Sequence, residues 1–442
     1  MSIMKKIFFA VSWAALSVGM SRGAVTVTGV SQGADRTVTV SYALDREQIV
    51  TFGVETKTDD GAWVRLPGEK LKHLSGDCAL FSTNSTGVIR WRPDFADFDE
   101  AFAVGTIRFV VNSYEKDNPP DYLVVDLAAK VSAANPRFRF YEKAEDLPGG
   151  LLGNEDYRTR LLVLRRIRAK GIPWVMGSST LENGRVAAEE TPHQVTLDHD
   201  YYIGVFPLVH AQAEFILGRK LEVDYLNFPV RSALRLRDRI FYNGPYIPYA
   251  RGEAYPAVPD SNSVVGLLRT LCKNAAGQSM LAFDLPSEAE WEFACRAGTT
   301  DGFWNDGSHI DRTWTQNTSI SETLPGRYLA GQDLATIWAN RATVDPDVHG
   351  PPIAGSYAPN AFGLYDMHGG VWEYCLDTYV EDISAANGAV QTSGTLVTKR
   401  GGSWCEGACN CRSARRCSNG LLYSGDHQEN GMRVAAPITI NF

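Results

Sequence analysis

Residues Pro359 to Tyr374 read PNAFGLYDMHGGVWEY, and the way this stretch turns back on itself decides what kind of domain surrounds it. Gly369 and Gly370 stand in tandem between Asp366 and Glu373, in what reads as a looping segment. Such a loop brings two carboxylates and the carbonyls of Gly369 and Val371 close together. Calcium takes about six to eight oxygens from carboxylates and carbonyls, so one looping segment can supply much of its shell. The same two side chains also serve as turn caps, and the residues alone leave both readings open.

Upstream, LPSEAEWEFACRAG (Leu285 to Gly298) has Ser287 and Glu290 in capping-box spacing, with Gly298 as a stop, and so predicts a short helix. Glu288, Glu290 and Glu292 look like acid/base candidates, but first-turn carboxylates suit the helix dipole without any chemistry. Downstream, GGSWCEGACNCRSARRC (Gly401 to Cys417) packs Cys405, Cys409, Cys411 and Cys417, four of the eight cysteines, into thirteen residues. His210 and Glu214 stand four apart, but no second histidine at suitable spacing completes an iron site. HExxH, Walker-type phosphate loops and Gly-x-Ser-x-Gly elbows are absent from the sequence, which sets hydrolase and nucleotide-enzyme readings aside.

The compartment is set at the other end. Lys5 and Lys6, the apolar run IFFAVSWAALSVGM and the small residues before Ala24 make residues 1–23 a signal peptide by pattern. The apolar run is short of the roughly 20 residues a membrane helix needs, so no membrane insertion is expected after cleavage. The expected location is secreted or periplasmic, in the cell envelope, where thiols tend to pair. The whole chain carries a net charge of -8, and losing Lys5, Lys6 and Arg22 with the signal leaves -11. Nucleic acid is thereby disfavoured as a partner, because it is held by basic surface.

The 442 residues, 44% of them hydrophobic, suffice for two cores. Residues 24–127 alternate apolar and polar with turns between, as in an all-β Ig/fibronectin-like sandwich of about 100 residues. Residues 128–160, rich in small, Pro, Gly and charged residues, read as a linker, and 161–442 as a second, α+β domain.

Six ordered blocks, WVMGS, ETPHQVTLDHDYYIG, LPSEAEWEFACRAGT, PNAFGLYDMHGGVWEY, RGGSW and GMRVA, together resemble the sulfatase-modifying-factor domain of formylglycine-generating enzymes over about 161–437. The resemblance implies a C-type-lectin-like α+β fold with little regular secondary structure, often stabilised by calcium. It places the calcium ligands at Asp366, Gly369, Val371 and Glu373, and a substrate-groove aromatic at Trp372. It implies copper(I) held by two cysteines, with Cys405 and Cys411 as candidates and Ser403 beside them. In the oxidases four residues separate that pair, whereas here three separate Cys405 from Cys409 and five separate Cys405 from Cys411.

The resemblance also points to a Cys375–Cys411 disulfide, whose 35-residue loop carries about 3 to 4 kcal/mol of unfolded-state restriction. The expectation is therefore an exported, non-copper, calcium-stabilised binding module for a protein or glycan. The alternative is an oxidase that converts a sulfatase cysteine to formylglycine with oxygen and copper.

Overall fold

The computed structural model describes residues 25–94, 107–130, 137–221, 229–230, 259–303, 351–403, 408–420 and 430–442, except positions 183, 260, 262, 352 and 395. The signal peptide, Trp404 and Cys405 lie outside the described residues. The chain divides into two compact units, Met1–Tyr157 with Phe442, and Arg158–Asn441. No helix among the described residues is long and apolar enough to cross a membrane.

Among the described residues the first unit has ten strands: β1 Thr26–Gln32, β2 Val38–Ala43, β3 Gln48–Lys57, β4 Trp63–Arg65, β5 Leu74–Gly76, β6 Leu80–Ser82, β7 Thr86–Trp91, β8 Ile107–Tyr114, β9 Tyr122–Asp126 and β10 Phe138–Tyr141. One sheet has the order β1-β2-β7-β5; in the other β4, β6 and β8 pair with β3, and every pairing in both is antiparallel. Period-two alternation explains the packing, since Val38, Val40 and Tyr42 of β2 are buried with Ile89 and Trp91 of β7 and Val50, Phe52 and Val54 of β3. Two sheets thus share one core.

Much of the predicted linker, residues 137–157, packs with the first unit, and residues 131–136 lie outside the described residues. Phe138 and Phe140 are buried in β10, which pairs with β9, and the Phe140 amide donates to the Ala79 carbonyl at 2.8 Å. Asp146 takes Arg65 Nη2 at 2.8 Å. The Pro, Gly and charged residues that suggested a tether instead make turns and buried ion pairs of the first unit.

In the second unit β11 Leu161–Ile167, β14 Tyr201–Gly204 and β19 Ala435–Pro437 pair antiparallel, and β12 Pro173–Met176 pairs with β13 His193–Thr196. A further sheet has the order β17-β16-β15-β18, from β15 Trp372–Thr378, β16 Leu396–Arg400, β17 Arg416–Gly420 and β18 Asn430–Gly431, with β15 and β18 parallel. The helices are short: α1 His210–Leu217, α2 Val264–Leu271 and α3 Glu288–Arg296. Among its described residues this unit is mostly strand with few helices.

The predicted capping box opens α3: Ser287 Oγ accepts the Glu290 amide at 3.1 Å and Glu290 Oε2 accepts the Ser287 amide at 2.7 Å. The helix stops at Ala297, left-handed at φ +47°, one residue before Gly298. Trp291 anchors α3 in a core with Val195, Tyr201, Ile203, Leu364 and Met367.

Candidate functional site

The motif loops meet where β15 begins. The Gly369 amide donates to the Gly401 carbonyl at 2.6 Å, joining the Asp366–Glu373 loop to the Gly-Gly-Ser loop. Both loops use left-handed glycines, with φ +76° at Gly369 and +72° at Gly402. At Gly402 a Cβ would stand 2.5 Å from Cys411 Sγ, so the glycine is what lets that thiol lie directly beneath the loop.

Cys411 is 0% exposed, and its carbonyl is bonded by His368 Nδ1 at 2.7 Å. That bond makes Nδ1 the protonated nitrogen of a buried ring whose pKa burial pushes down to about 4. Cys295 Sγ lies 3.7 Å from His368 Nε2 and 3.9 Å from Nδ1. A sulfur nearly equidistant from both nitrogens is off the Nε2 lone-pair axis, so the contact is packing and not an activated dyad. Burial pushes the Cys295 thiol up to about 12. His368 lies inside the stretch Pro359 to Tyr374, but no spacing to another titratable residue marks it in the sequence.

Cys409 turns elsewhere, its Cβ against Gly184, and Arg412 Nε holds the Cys409 carbonyl at 2.9 Å. The expected Cys375–Cys411 disulfide is not formed: Cys375 is a free, buried thiol in the α3 core, whereas Cys411 packs under Gly402. Ser403 is fully buried. Trp372, expected to line a groove, is 1% exposed with Lys399 Nζ 5.0 Å from its ring centroid, so it is a core residue.

The arrangement does not suit a copper-holding thiolate pair at Cys411. A thiolate pair that works on substrate must border a groove, and the sealed Cys411 does not; the second candidate, Cys405, lies outside the described residues.

Calcium fits in part. Asp366 Oδ2 accepts the Gly355 amide at 2.7 Å, while Oδ1 is buried with no hydrogen-bond partner, as a cation ligand would be. Burial pushes the Asp366 carboxyl up to about 6. Glu373 is already committed, because Arg433 Nε and Nη2 reach Oε1 at 3.0 and 2.8 Å and Trp291 Nε1 donates to Oε2 at 2.6 Å. Arg433 also donates to the carbonyls of Gly204, Val205 and Tyr365.

Three further arginines complete the frame. Glu288 accepts Arg416 Nε at 2.7 Å and Arg400 Nε at 2.8 Å, and Glu292 accepts Arg400 Nη1 at 2.9 Å. Burial alone would raise the Glu288 carboxyl, but Arg416 and Arg400 outweigh it and hold the group down to about 2. Arg412 forks onto Glu190, with both bonds at 2.8 Å. Glu288 and Glu292 of α3 are thus internal ion-pair anchors, which is more than the helix dipole alone asks of them. On α1, His210 is buried and Glu214 accepts the Leu221 amide and Lys220 Nζ, both at 2.8 Å.

The blocks that form this frame are the ones that match known proteins: residues 167–438 match the sulfatase-modifying factor enzyme 1-like domain. The chain belongs to the sulfatase-modifying-factor family. Relatives include the formylglycine-generating enzyme of Thermomonospora curvata, 30% identical over 162 residues, which are 34% of this chain and 48% of that protein. The mouse formylglycine-generating enzyme is 29% identical over 127 residues, 27% of this chain and 30% of that protein. The serine/threonine-protein kinase pkn1 of Chlamydia caviae is 30% identical over 242 residues, 52% of this chain and 32% of that protein. The chain therefore spans less than half the length of each of these relatives. PvdO from Pseudomonas aeruginosa superposes with a TM-score of 0.41 at 22% identity, covering 62% of this chain and 94% of that one.

Proposed function

We propose that the sulfatase-modifying-factor domain of this protein is an exported binding module for a protein or glycan, without copper oxidase chemistry. The observation that carries the reading is the Cys411 thiol, fully buried beneath Gly402 with its carbonyl tied to His368. A C-type-lectin-like fold for this unit accords with its few short helices, and an Ig/fibronectin-like spacer role for the first unit accords with its two sheets around one core.

The test is direct. The purified chain is incubated with copper(I), oxygen and a sulfatase-type peptide, and aldehyde is sought by mass spectrometry. No turnover is expected. Sustained turnover that disappears in Cys405→Ser or Cys411→Ser would reverse the proposal in favour of formylglycine formation on a sulfatase partner.

Calcium belongs to the same proposal as a structural ion. It would draw on Asp366 and the carbonyls of Gly369 and Val371, with Glu373 contributing charge from its place against Arg433. Calcium then raises the melting temperature of the wild-type chain and leaves Asp366→Ala unchanged. Equal melting curves with calcium and with EGTA in the wild-type chain would remove the ion from the proposal.

A further inference from the structure

The second unit contains a cleft of about 570 Å³, within the roughly 300–1,000 Å³ range of small-molecule sites. It is bounded by the turn after β13, the segment leading into α3, the loop at 387–390 and β19. None of the residues placed in the copper or calcium sets lines it. Leu197, Leu285, Leu376 and Val390 give it an apolar wall.

Two cations and three carboxylates border this wall, and their bonding is unequal. His199 has both ring nitrogens committed, Nε2 to Glu290 Oε1 at 2.8 Å and Nδ1 to Asp198 Oδ1 at 2.6 Å. Glu290, then Asp198, raise its pKa to about 9, so the ring is a cation at neutral pH. Glu290 is occupied further by the Ser287 amide, and Asp284 by Arg269 and the Leu285 amide. Asp198 stands on the rim with 95% of its side chain exposed, where solvent screens it.

Arg269 differs. Its Nε donates to the Phe283 carbonyl at 2.6 Å and its Nη2 to Asp284 Oδ2 at 3.1 Å, which hold the guanidinium plane in place. Nη1 makes no hydrogen bond among the described residues, and the side chain is only 20% exposed. A fixed, partly desolvated guanidinium with donors to spare, beside an apolar wall, recognises a carboxylate better than an amine, since the nearby acids are already engaged.

We propose that this cleft binds a molecule with one carboxylate on a small apolar body, the carboxylate accepted by Arg269 and the body covering Leu197, Leu285 and Leu376. The ligand is either a free short-chain acid or the C-terminal carboxylate of a peptide ending in an apolar residue. The inference stands apart from the copper and calcium readings.

The test is calorimetric titration of the full chain with hexanoate, hexanol, hexylamine and N-acetyl-Gly-Leu as the acid and as the amide. Hexanoate or the peptide acid is expected to bind at least about tenfold more tightly than its uncharged counterpart. The tighter of the two acids identifies the source. Arg269→Gln is expected to remove that margin. Ala282→Trp, at an exposed lining position, blocks binding with Arg269 intact and decides the matter if Arg269→Gln fails to fold. The proposal is overturned if neither acid binds saturably at millimolar concentration, if hexanol matches hexanoate and the peptide amide matches the acid, or if neither variant changes acid binding.

Discussion

At Arg433 a single side chain closes six contacts, three on Glu373 and three on carbonyls, with 0% exposure. Arg433→Met strands the buried Glu373 and is expected to cost about 3–5 kcal/mol in urea denaturation, because removing one partner leaves an uncompensated charge. Adding Glu373→Gln should recover part of that loss; no recovery would mean the carbonyl contacts, not the ion pair, carry the cost. His199 gives a pH signature. Its pKa is raised from 6.5 to about 9, so its contribution is complete below about pH 6.5 and fades as pH climbs through 9. Between pH 7 and 10 the wild-type melting temperature should therefore fall more than that of His199→Gln, and parallel curves would mean the Glu290 contact does not form in solution.

Among the elements, α3 and the Gly-Gly-Ser loop behave differently under substitution. Ser287→Ala removes one half of a capping box and should cost about 1 kcal/mol. Gly402→Ala forces a Cβ to within 2.5 Å of Cys411 Sγ and 2.8 Å of the Asn410 carbonyl. Overpacking of this kind costs about 1–3 kcal/mol, on top of the left-handed φ of +72°. Gly402→Ala with Cys411→Ala should regain the part owed to sulfur, measured by the same denaturation midpoints. The capping box was legible in the sequence because it is local, with donor and acceptor three residues apart. The partners of Glu288 and Glu292 were not legible. Arg400 and Arg416 lie more than a hundred residues away, so only the tertiary fold turns first-turn acids into buried anchors. The burial of Cys411 is illegible for the same reason: spacing along the chain says nothing of which way a thiol faces.

For the whole molecule, block order and strand alternation carried the two-unit division, but composition misplaced the boundary. Residues 128–160 look like a tether because Gly and Pro are as useful in tight turns of a folded edge as in a flexible connection. Phe138 and Phe140 were the neglected signal, two aromatics at strand period. Their burial predicts how the first unit tolerates truncation. A fragment of residues 25–157 should unfold in one cooperative urea transition. A fragment of 25–127 loses β10, the Phe140–Ala79 backbone bond and the Asp146 partner of the buried Arg65, and should show a broad transition or none by circular dichroism. Phe442, stacked on Phe81 with ring centroids 4.0 Å apart, is missing from both fragments, so the comparison isolates residues 128–157. Identical transitions in the two fragments would restore the linker and move the boundary back to Leu127.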